Sequence, residues 1–190
     1  MIIYLTRHTE YDNPNRLFVF HLPVNLSVNG RAHAQRMGQW FAKNATKSLP
    51  IISSPIARCI QTTEIISSHT DSFVTFDDRL IETRCANLQG TQEPENKTWQ
   101  TQYDDQSRET QSAILERSLN LYKEIVEKGA DRILVSHGDP LTILLYHLTN
   151  QTIPHYLWSP EQEPHNVQRG EIVKLTIENK EVKDIKRIKV

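Results

Sequence analysis

The chain lacks most of what would mark it as secreted, membrane-bound or nucleic-acid-binding. Its 190 residues contain two cysteines, Cys59 and Cys85. Two are too few for a disulfide framework, neither lies in a metal-ligand spacing, and the pair fits a reducing compartment. Neither sign of charge is in excess: charged residues make up 24% of the chain and the formal net charge is −1. That balance excludes a global basic field for nucleic acid or anionic membrane, so any bound anion must be held by a local cluster. No apolar run approaches the roughly 18 residues that a membrane span needs. The N-terminal stretch has no basic n-region, long apolar h-region or small-residue cleavage site. Internal repeats, low-complexity tracts and inter-domain linkers are also missing. The expectation is a soluble cytoplasmic protein whose residues 1–190 form a single domain with a substantial core.

What is present is an alternation of short β-prone runs and helical patterns. Ile2-Ile3-Tyr4-Leu5 is an apolar run that ends in Arg7-His8. A polar, loop-like stretch follows, Tyr11 to Asn25. Ser27 then has the chemistry of an N-cap for a helix placing Ala34, Met37 and Phe41 on one face, with Trp40 beside them. Pro50-Ile51-Ile52-Ser53 reads as a second strand, and Ser54-Pro55 opens a helix to about Ser68 with Ile56, Ile60 and Thr63 on one face. Phe73 to Phe76 is a third strand. Residues 84–106 are polar and weakly periodic, a long loop or partly helical lid of the kind that is more often functional than idle. A strong helix follows, with Leu115, Leu119, Tyr122 and Val126 in register and Gly129 at its end. Ile133 to Ser136 is a fourth strand ending in His137-Gly138, and Pro140 opens a helix with a core-facing stripe from Leu141 to Leu148. Glu171–Ile177 and Val182–Ile188 flank Asn179 as a hairpin, whose lysines are a solvated edge. Such alternation predicts an α/β fold, a three-layer α/β/α sandwich with a mostly parallel central sheet and helices on both faces.

Three of these strands end in reactive residue types: Arg7-His8, Ser53 with Arg58 one turn into the next helix, and Ser136-His137-Gly138. Adjacent parallel strands would gather two arginines and two histidines at one sheet edge, a site for a dianion such as phosphate. Arginine's planar fork suits phosphate oxygens better than a lysine point charge. One imidazole is then available as a nucleophile. The remaining histidines, such as His33, His69 and His147, have no metal-ligand spacing among themselves, and a metal hydrolase built on His137-Gly138-Asp139 lacks partner ligands.

In these residues the chain resembles the histidine phosphatase superfamily, the phosphoglycerate-mutase-like proteins. Leu5-Thr6-Arg7-His8-Thr9-Glu10 resembles the signature Arg-His-Gly, and Leu26-Ser27-Val28-Asn29-Gly30 the family's Leu-Thr-x-x-Gly. Ser53-Ser54-Pro55-Ile56-Ala57-Arg58-Cys59-Ile60-Gln61-Thr62 is similar to Ser-Ser-Pro-x-x-Arg-x-x-Gln-Thr, and Val135-Ser136-His137-Gly138 to the second histidine block. The resemblance implies that His8 is the nucleophile, forming a phosphohistidine. It implies that Arg7, Arg58 and His137 hold the phosphoryl oxygens, with Gly138 allowing close backbone approach, and that Glu82 is the proton donor and then the base. It also implies an asparagine on the phosphate, Asn13 or Asn15, with Asn13 favoured. No metal or cofactor is implied, and the expected partner is a small phosphorylated substrate.

Two departures stand out. Thr9 replaces the usual glycine, which would be strained if the position needs φ > 0. The acid block Glu82 to Gly90 lacks the mutase-type tyrosine, and no paired arginines follow it, which favours a phosphatase over a mutase. A phosphohistidine phosphatase and a catalytically silent binding protein are the other readings of the same residues. Specificity is expected from Tyr11–Asn25, residues 84–106 and His155–Arg169, where Arg16, Arg84 and Gln89 could read the substrate.

Overall fold

The computed structural model describes residues 1–45 and 48–190. Its framework is one sheet of six strands: β1 (Ile2–Arg7), β2 (Ile51–Ser53), β3 (Val74–Phe76), β4 (Arg132–Ser136), β5 (Ile172–Glu178) and β6 (Glu181–Ile188), in the order β3-β2-β4-β1-β5-β6. The pairs β3–β2, β2–β4 and β4–β1 are parallel, whereas β5 runs antiparallel to β1 and β6 antiparallel to β5. Among the described residues, five α-helices accompany it: α1 (Val28–Asn44), α2 (Ala57–Thr70), α3 (Thr98–Asp104), α4 (Gln111–Lys128) and α5 (Gly138–Leu148).

Side-chain alternation along the strands sorts the core into two layers. Ile3, Leu5, Leu134, Val173 and Leu175 face α4 and α5, packing with Leu121, Ile125, Leu141 and Leu144. Tyr4, Ile51, Ile133, Val135 and Ile172 face the other way, onto Met37 and Phe41 of α1 and Cys59 and Ile66 of α2. A strand buried on both faces has little use for polar positions, which is why β1 and β4 read as continuous apolar runs. The helices end where their chemistry dictates. Ser27 caps α1, its hydroxyl accepting from the Gly30 N–H at 3.0 Å, and Gly129, at φ +66°, closes α4. The β5–β6 turn, Asn179-Lys180, has positive φ at both residues, the geometry that suits a two-residue hairpin.

Several boundaries and faces differ from the sequence reading. Helix α5 starts at Gly138 rather than Pro140, and Pro140 is accommodated because first-turn N–H groups have no intrahelical partner. Helix α2 buries Cys59, Thr62, Thr63 and Ile66; of the expected Ile56–Ile60–Thr63 face, Ile56 and Thr63 are buried and Ile60 is half-buried. Its threonines satisfy themselves inward, Thr62 Oγ1 on the Arg58 carbonyl (2.8 Å) and Thr63 Oγ1 on Ser53 Oγ (3.0 Å), so hydropathy misplaces the stripe. The 11–25 stretch is not merely a polar loop. Phe18, Val19 and Phe20 are buried, and the two phenylalanine rings stack 5.8 Å apart.

The 84–106 segment folds back over the C-terminal ends of the parallel strands. Backbone bonds tie it to the first loop, from Phe18 N to Thr91 O (2.9 Å), Gly90 N to Phe18 O (2.8 Å) and Glu93 N to Arg16 O (2.8 Å). On its other side Trp99 and Tyr103 of α3 pack on Tyr156, at 4.9 and 6.1 Å between ring centroids. The segment thus spans from the 11–25 loop to the loop after α5. No helix among the described residues is long and apolar enough to cross a membrane.

Candidate active site

β1 and β4 are parallel neighbours in a register that pairs Arg7 with Ser136, so Arg7-His8 and His137-Gly138 emerge side by side. β2 lies next to β4 and delivers Ser54 and the first turn of α2, which carries Arg58, to the same edge. The geometry here is that of a parallel sheet whose carboxyl ends meet one cavity. That cavity holds about 540 Å³, and Arg7, His8, Arg58, Glu82 and Gly138 are among its lining residues.

His8 is 1% exposed and its tautomer is determined by its neighbours. Nδ1 lies 2.7 Å from the Thr9 carbonyl oxygen, which can only accept, so Nδ1 carries the proton. Nε2 therefore presents a lone pair, and Arg58 Nε donates to it at 3.1 Å. Burial, followed by the Arg58 and Arg7 charges, pushes the imidazole well below its ordinary range, which keeps it neutral at pH 7. Arg58 also donates through Nη2 to the Phe20 carbonyl (2.7 Å), and Arg7 through Nη1 to the Val167 carbonyl (3.1 Å). Arg58 Nη1 and Arg7 Nε are buried without a protein partner. A buried N–H without an acceptor is costly, and two of them on guanidinium groups that line the His8 cavity suit the oxygens of an anion. Desolvation pulls the Arg7 guanidinium down to about 10, with the nearby Arg169 adding to the effect. Arg7 also stacks on Trp158, 4.6 Å from its ring centroid.

His137 is fully buried, with its ring centroid 5.2 Å from that of His8. Its Nε2 is 2.8 Å from Ser54 Oγ, and its Nδ1 is 3.9 Å from Glu82 Oε2. Like His8, it is held well below the ordinary imidazole range, by burial first and then by Arg58 and His8. Glu82 accepts from the Thr83 N–H at 3.0 Å. Its carboxyl is raised above the ordinary range, by burial and then by the Asp139 charge, against the opposing pull of Arg58. A neutral imidazole whose Nε2 lone pair is held by Arg58 thus shares the cavity with a carboxyl group whose proton affinity is raised, the pairing that nucleophilic attack with general acid catalysis needs.

Five of the expected site residues, His8, Arg7, Arg58, Glu82 and His137, come together with Gly138. Asn13 does not join them. Its amide is spent within its own loop, donating to the Leu17 carbonyl (2.9 Å) and accepting from the Leu17 N–H (3.0 Å). Both bonds stabilise the turn in which Arg16 has φ +49°. Asn15 is exposed and away from the cavity lining. Thr9 is unstrained, since its φ is not positive, and it packs against Thr62, whose Oγ1 accepts from the Thr9 N–H at 3.3 Å. Arg16, Arg84 and Gln89 do not line the cavity. They engage the Pro94 carbonyl, Glu109 and the His21 N–H, respectively. His21 supports the acid from behind, its Nε2 2.8 Å from the Glu82 carbonyl.

The outer cavity is built from Tyr11, Phe18, Trp99, Trp158, Glu93 and Arg169, which all fall in the stretches expected to carry specificity, Tyr11–Asn25, residues 84–106 and His155–Arg169. Tyr11 is held between cations, with Arg58 5.4 Å and Arg169 4.5 Å from its ring centroid, and its hydroxyl accepts from Arg169 at 3.2 Å. Arg169 is placed there by Gly170, whose N–H reaches the carbonyls of both Arg7 (3.1 Å) and His8 (3.3 Å). Within the first of these stretches, the apolar run Phe18-Val19-Phe20 was the signal of a buried wall. Among the described residues, no group of three or more His, Cys, Asp or Glu side chains is placed to hold a metal ion.

Solved structures with the same architecture include a mycobacterial glucosyl-3-phosphoglycerate phosphatase (TM-score 0.74, 21% identity, covering 92% of this chain and 89% of that one). Others are YhfR of Bacillus stearothermophilus (0.79, 22%, 96% and 94%) and an α-ribazole phosphatase from Shigella flexneri (0.76, 20%, 96% and 93%). A comparison with curated protein sequences finds no match. The family model of the histidine phosphatase superfamily (branch 1) spans residues 3–185, from the first strand to the last, and the chain belongs to that family.

Proposed function

We propose that the protein is a metal-independent phosphomonoesterase that acts on a small phosphorylated metabolite through a covalent phosphohistidine at His8. The observation that carries this reading is the His8 tautomer: an Nε2 lone pair that accepts from Arg58 Nε, in a cavity lined by two guanidinium groups that each keep a buried, unpartnered N–H. In the first step Nε2 attacks phosphorus, the bond to the leaving oxygen breaks, and Glu82 gives that oxygen its proton. In the second, Glu82 takes a proton from water, the resulting hydroxide attacks phosphorus, and the P–N bond breaks to release inorganic phosphate. Arg7 and Arg58 neutralise the charge that builds on the equatorial oxygens, with His137 behind them.

A phosphatase fits the outer cavity better than a mutase does. Beyond Arg7 and Arg58 its lining offers one cation, Arg169, against Glu93 and Glu163, a poor match to a second phosphate or carboxylate. Residues 84–106 act as the specificity lid, since they contribute Glu93, Thr98, Trp99 and Gln102 to the wall. A small substrate suits a roofed cavity of this volume. Two of the structural neighbours carry the names of phosphatases of small phosphate esters, which agrees with this reading.

The experiment is rapid quench with a phosphate-labelled aryl ester, followed by alkaline separation of the protein, because phosphohistidine survives base and not acid. Label should appear on the native chain and be absent from His8→Ala, with hydrolysis lowered by several orders of magnitude. A His8→Ala protein that retains activity, or a labelled peptide lacking His8, removes the nucleophile assignment.

A further inference from the structure

Asp139 sits at the second position of α5 and is 2% exposed, yet none of the chemical steps above uses it. Its carboxylate accepts from four side chains on four separate stretches of chain. Thr83, the residue after Glu82, donates through Oγ1 to Oδ2 at 2.5 Å, and Tyr103 of α3 donates its hydroxyl to Oδ1 at 3.2 Å. Trp158 donates Nε1–H to Oδ1 at 2.6 Å, and Arg108 forms an ion pair with Oδ2 in which both side chains are at most 5% exposed. Tryptophan and arginine can only donate, and the two hydroxyls are free to do so, so every acceptor position of a carboxylate is used. Burial of this kind is tolerated because the charge is both paired and fully hydrogen-bonded.

We propose that Asp139 is a positioning residue for Glu82: its buried carboxylate ties the acid-bearing segment, the lid and Trp158 into one wall, and places a fixed negative charge beside the acid. The inference rests on the phosphatase reading given above. Three consequences follow from the geometry. Thr83 is clamped, and with it the backbone N–H that Glu82 accepts from. Trp158 is clamped against Arg7, so the same carboxylate orients a guanidinium that faces the phosphoryl group. The lid is anchored at α3 and at Arg108, whose guanidinium also lies 3.9 Å from the Tyr103 ring centroid.

The charge itself acts on the proton of Glu82. The groups facing that carboxyl are Arg7 and His8 from β1, Arg58 from α2, and His137 and Asp139 from the β4–α5 junction. The lid adds Tyr103, the turn after it Arg108, the first loop His21, and α4 contributes Arg117, which reaches the Glu82 carbonyl at 3.5 Å. The cations favour loss of the proton. Among these neighbours Asp139 is the carboxylate, and it opposes them, adding to burial in raising the Glu82 carboxyl. Without it, Glu82 would ionise at lower pH, and the pH range in which it has a proton to give would narrow.

The test compares kcat/KM against pH for phenyl phosphate, whose leaving group needs a proton, and for p-nitrophenyl phosphate, whose leaving group does not. In Asp139→Asn the fall in phenyl phosphate turnover on the alkaline side should move down by about one pH unit, the size expected for removing a nearby charge in a protein interior. Turnover of p-nitrophenyl phosphate should change much less. Because Asp139→Asn leaves Arg108 buried without its counter-ion, a second arm keeps the ion pair. Thr83→Val should lower kcat for phenyl phosphate about tenfold with KM within twofold, and Thr83→Ser should restore it. A folded Asp139→Asn protein with an unmoved alkaline limb overturns the proposal, as does a Thr83→Val protein with native kcat. If native protein hydrolyses neither ester, the phosphatase reading falls and takes this one with it. If native protein hydrolyses both and His8→Ala hydrolyses neither, an unmoved limb rejects only the role of Asp139.

Discussion

Replacing Gly138 by alanine adds one methyl group at the point where three parts of the site converge. A Cβ built there would lie 2.5 Å from Trp158 Cζ2, 3.0 Å from Arg7 Cζ and 3.1 Å from Arg7 Nη2. Carbon atoms pack comfortably at about 3.5 Å, so a neighbour must retreat by about 1 Å. Neither is free to move. Trp158 is held by its 2.6 Å bond to Asp139, and Arg7 by its 3.1 Å bond to the Val167 carbonyl. Overpacking of this kind costs about 1–3 kcal/mol, partly offset by the roughly 0.4–1 kcal/mol that alanine gains by restricting the unfolded chain. At roughly 2–4 °C per kcal/mol for a chain of this length, Tm should fall by a few degrees. The effect on rate should be larger: a 1 Å displacement of a substrate-orienting group is enough to cost about 100-fold. The assay is kcat/KM for an aryl phosphate beside a thermal melt. Gly129→Ala is the control, because that residue has φ +66° and nothing within 4 Å of its added Cβ, far from the cavity. It should lose about 1 kcal/mol of stability to backbone strain and keep its rate. A Gly138→Ala enzyme within twofold of the native rate would refute the packing argument. An equal loss in both variants would assign the effect to stability instead.

Glu82→Gln should slow phenyl phosphate hydrolysis by at least about 100-fold and p-nitrophenyl phosphate hydrolysis far less, because only the poorer leaving group needs the proton. An equal loss on both substrates would point to a different acid. Stability should also depend on pH. His8 and His137 are both held below their unfolded value of about 6.5, so the unfolded chain binds more protons, and stability is present above that pH and lost as pH falls through the folded values. Glu82, raised above its unfolded value, works in the opposite direction where the windows overlap, losing stability as pH rises. Two histidine protons against one carboxyl proton leave a net loss of stability on acidification below about pH 6.5. Melting temperatures that are flat between pH 7 and 5 would contradict the burial of both imidazoles.

The parallel strands were legible because both faces of β1 and β4 are buried, leaving unbroken apolar runs with charged residues at their carboxyl ends. Arg7, His8, Arg58 and His137 were legible for a related reason: each sits at or shortly after a strand end, where the sheet's own geometry gathers them, whereas Glu82, six residues beyond β3, was indicated only by the family resemblance. Asn13 went the other way because an asparagine in a turn has a local use for its amide, and the Leu17 backbone claims both ends of it. Thr9 was flagged for strain on the assumption of a positive φ, and its backbone never takes that conformation.

By itself, the order of short apolar runs and helical patterns determined the layered α/β architecture, since periodicity and strand-end chemistry are local properties of the chain. Only the tertiary structure decided which distant side chains share a wall. Tyr11 lies between Arg58 and Arg169, and Asp139 collects Thr83, Tyr103, Arg108 and Trp158 from positions up to 56 residues away. No periodicity records such contacts. They come from how the 84–106 segment and the loop after α5 close over the sheet, where hydrogen-bond direction and shape, rather than hydropathy, choose the partners.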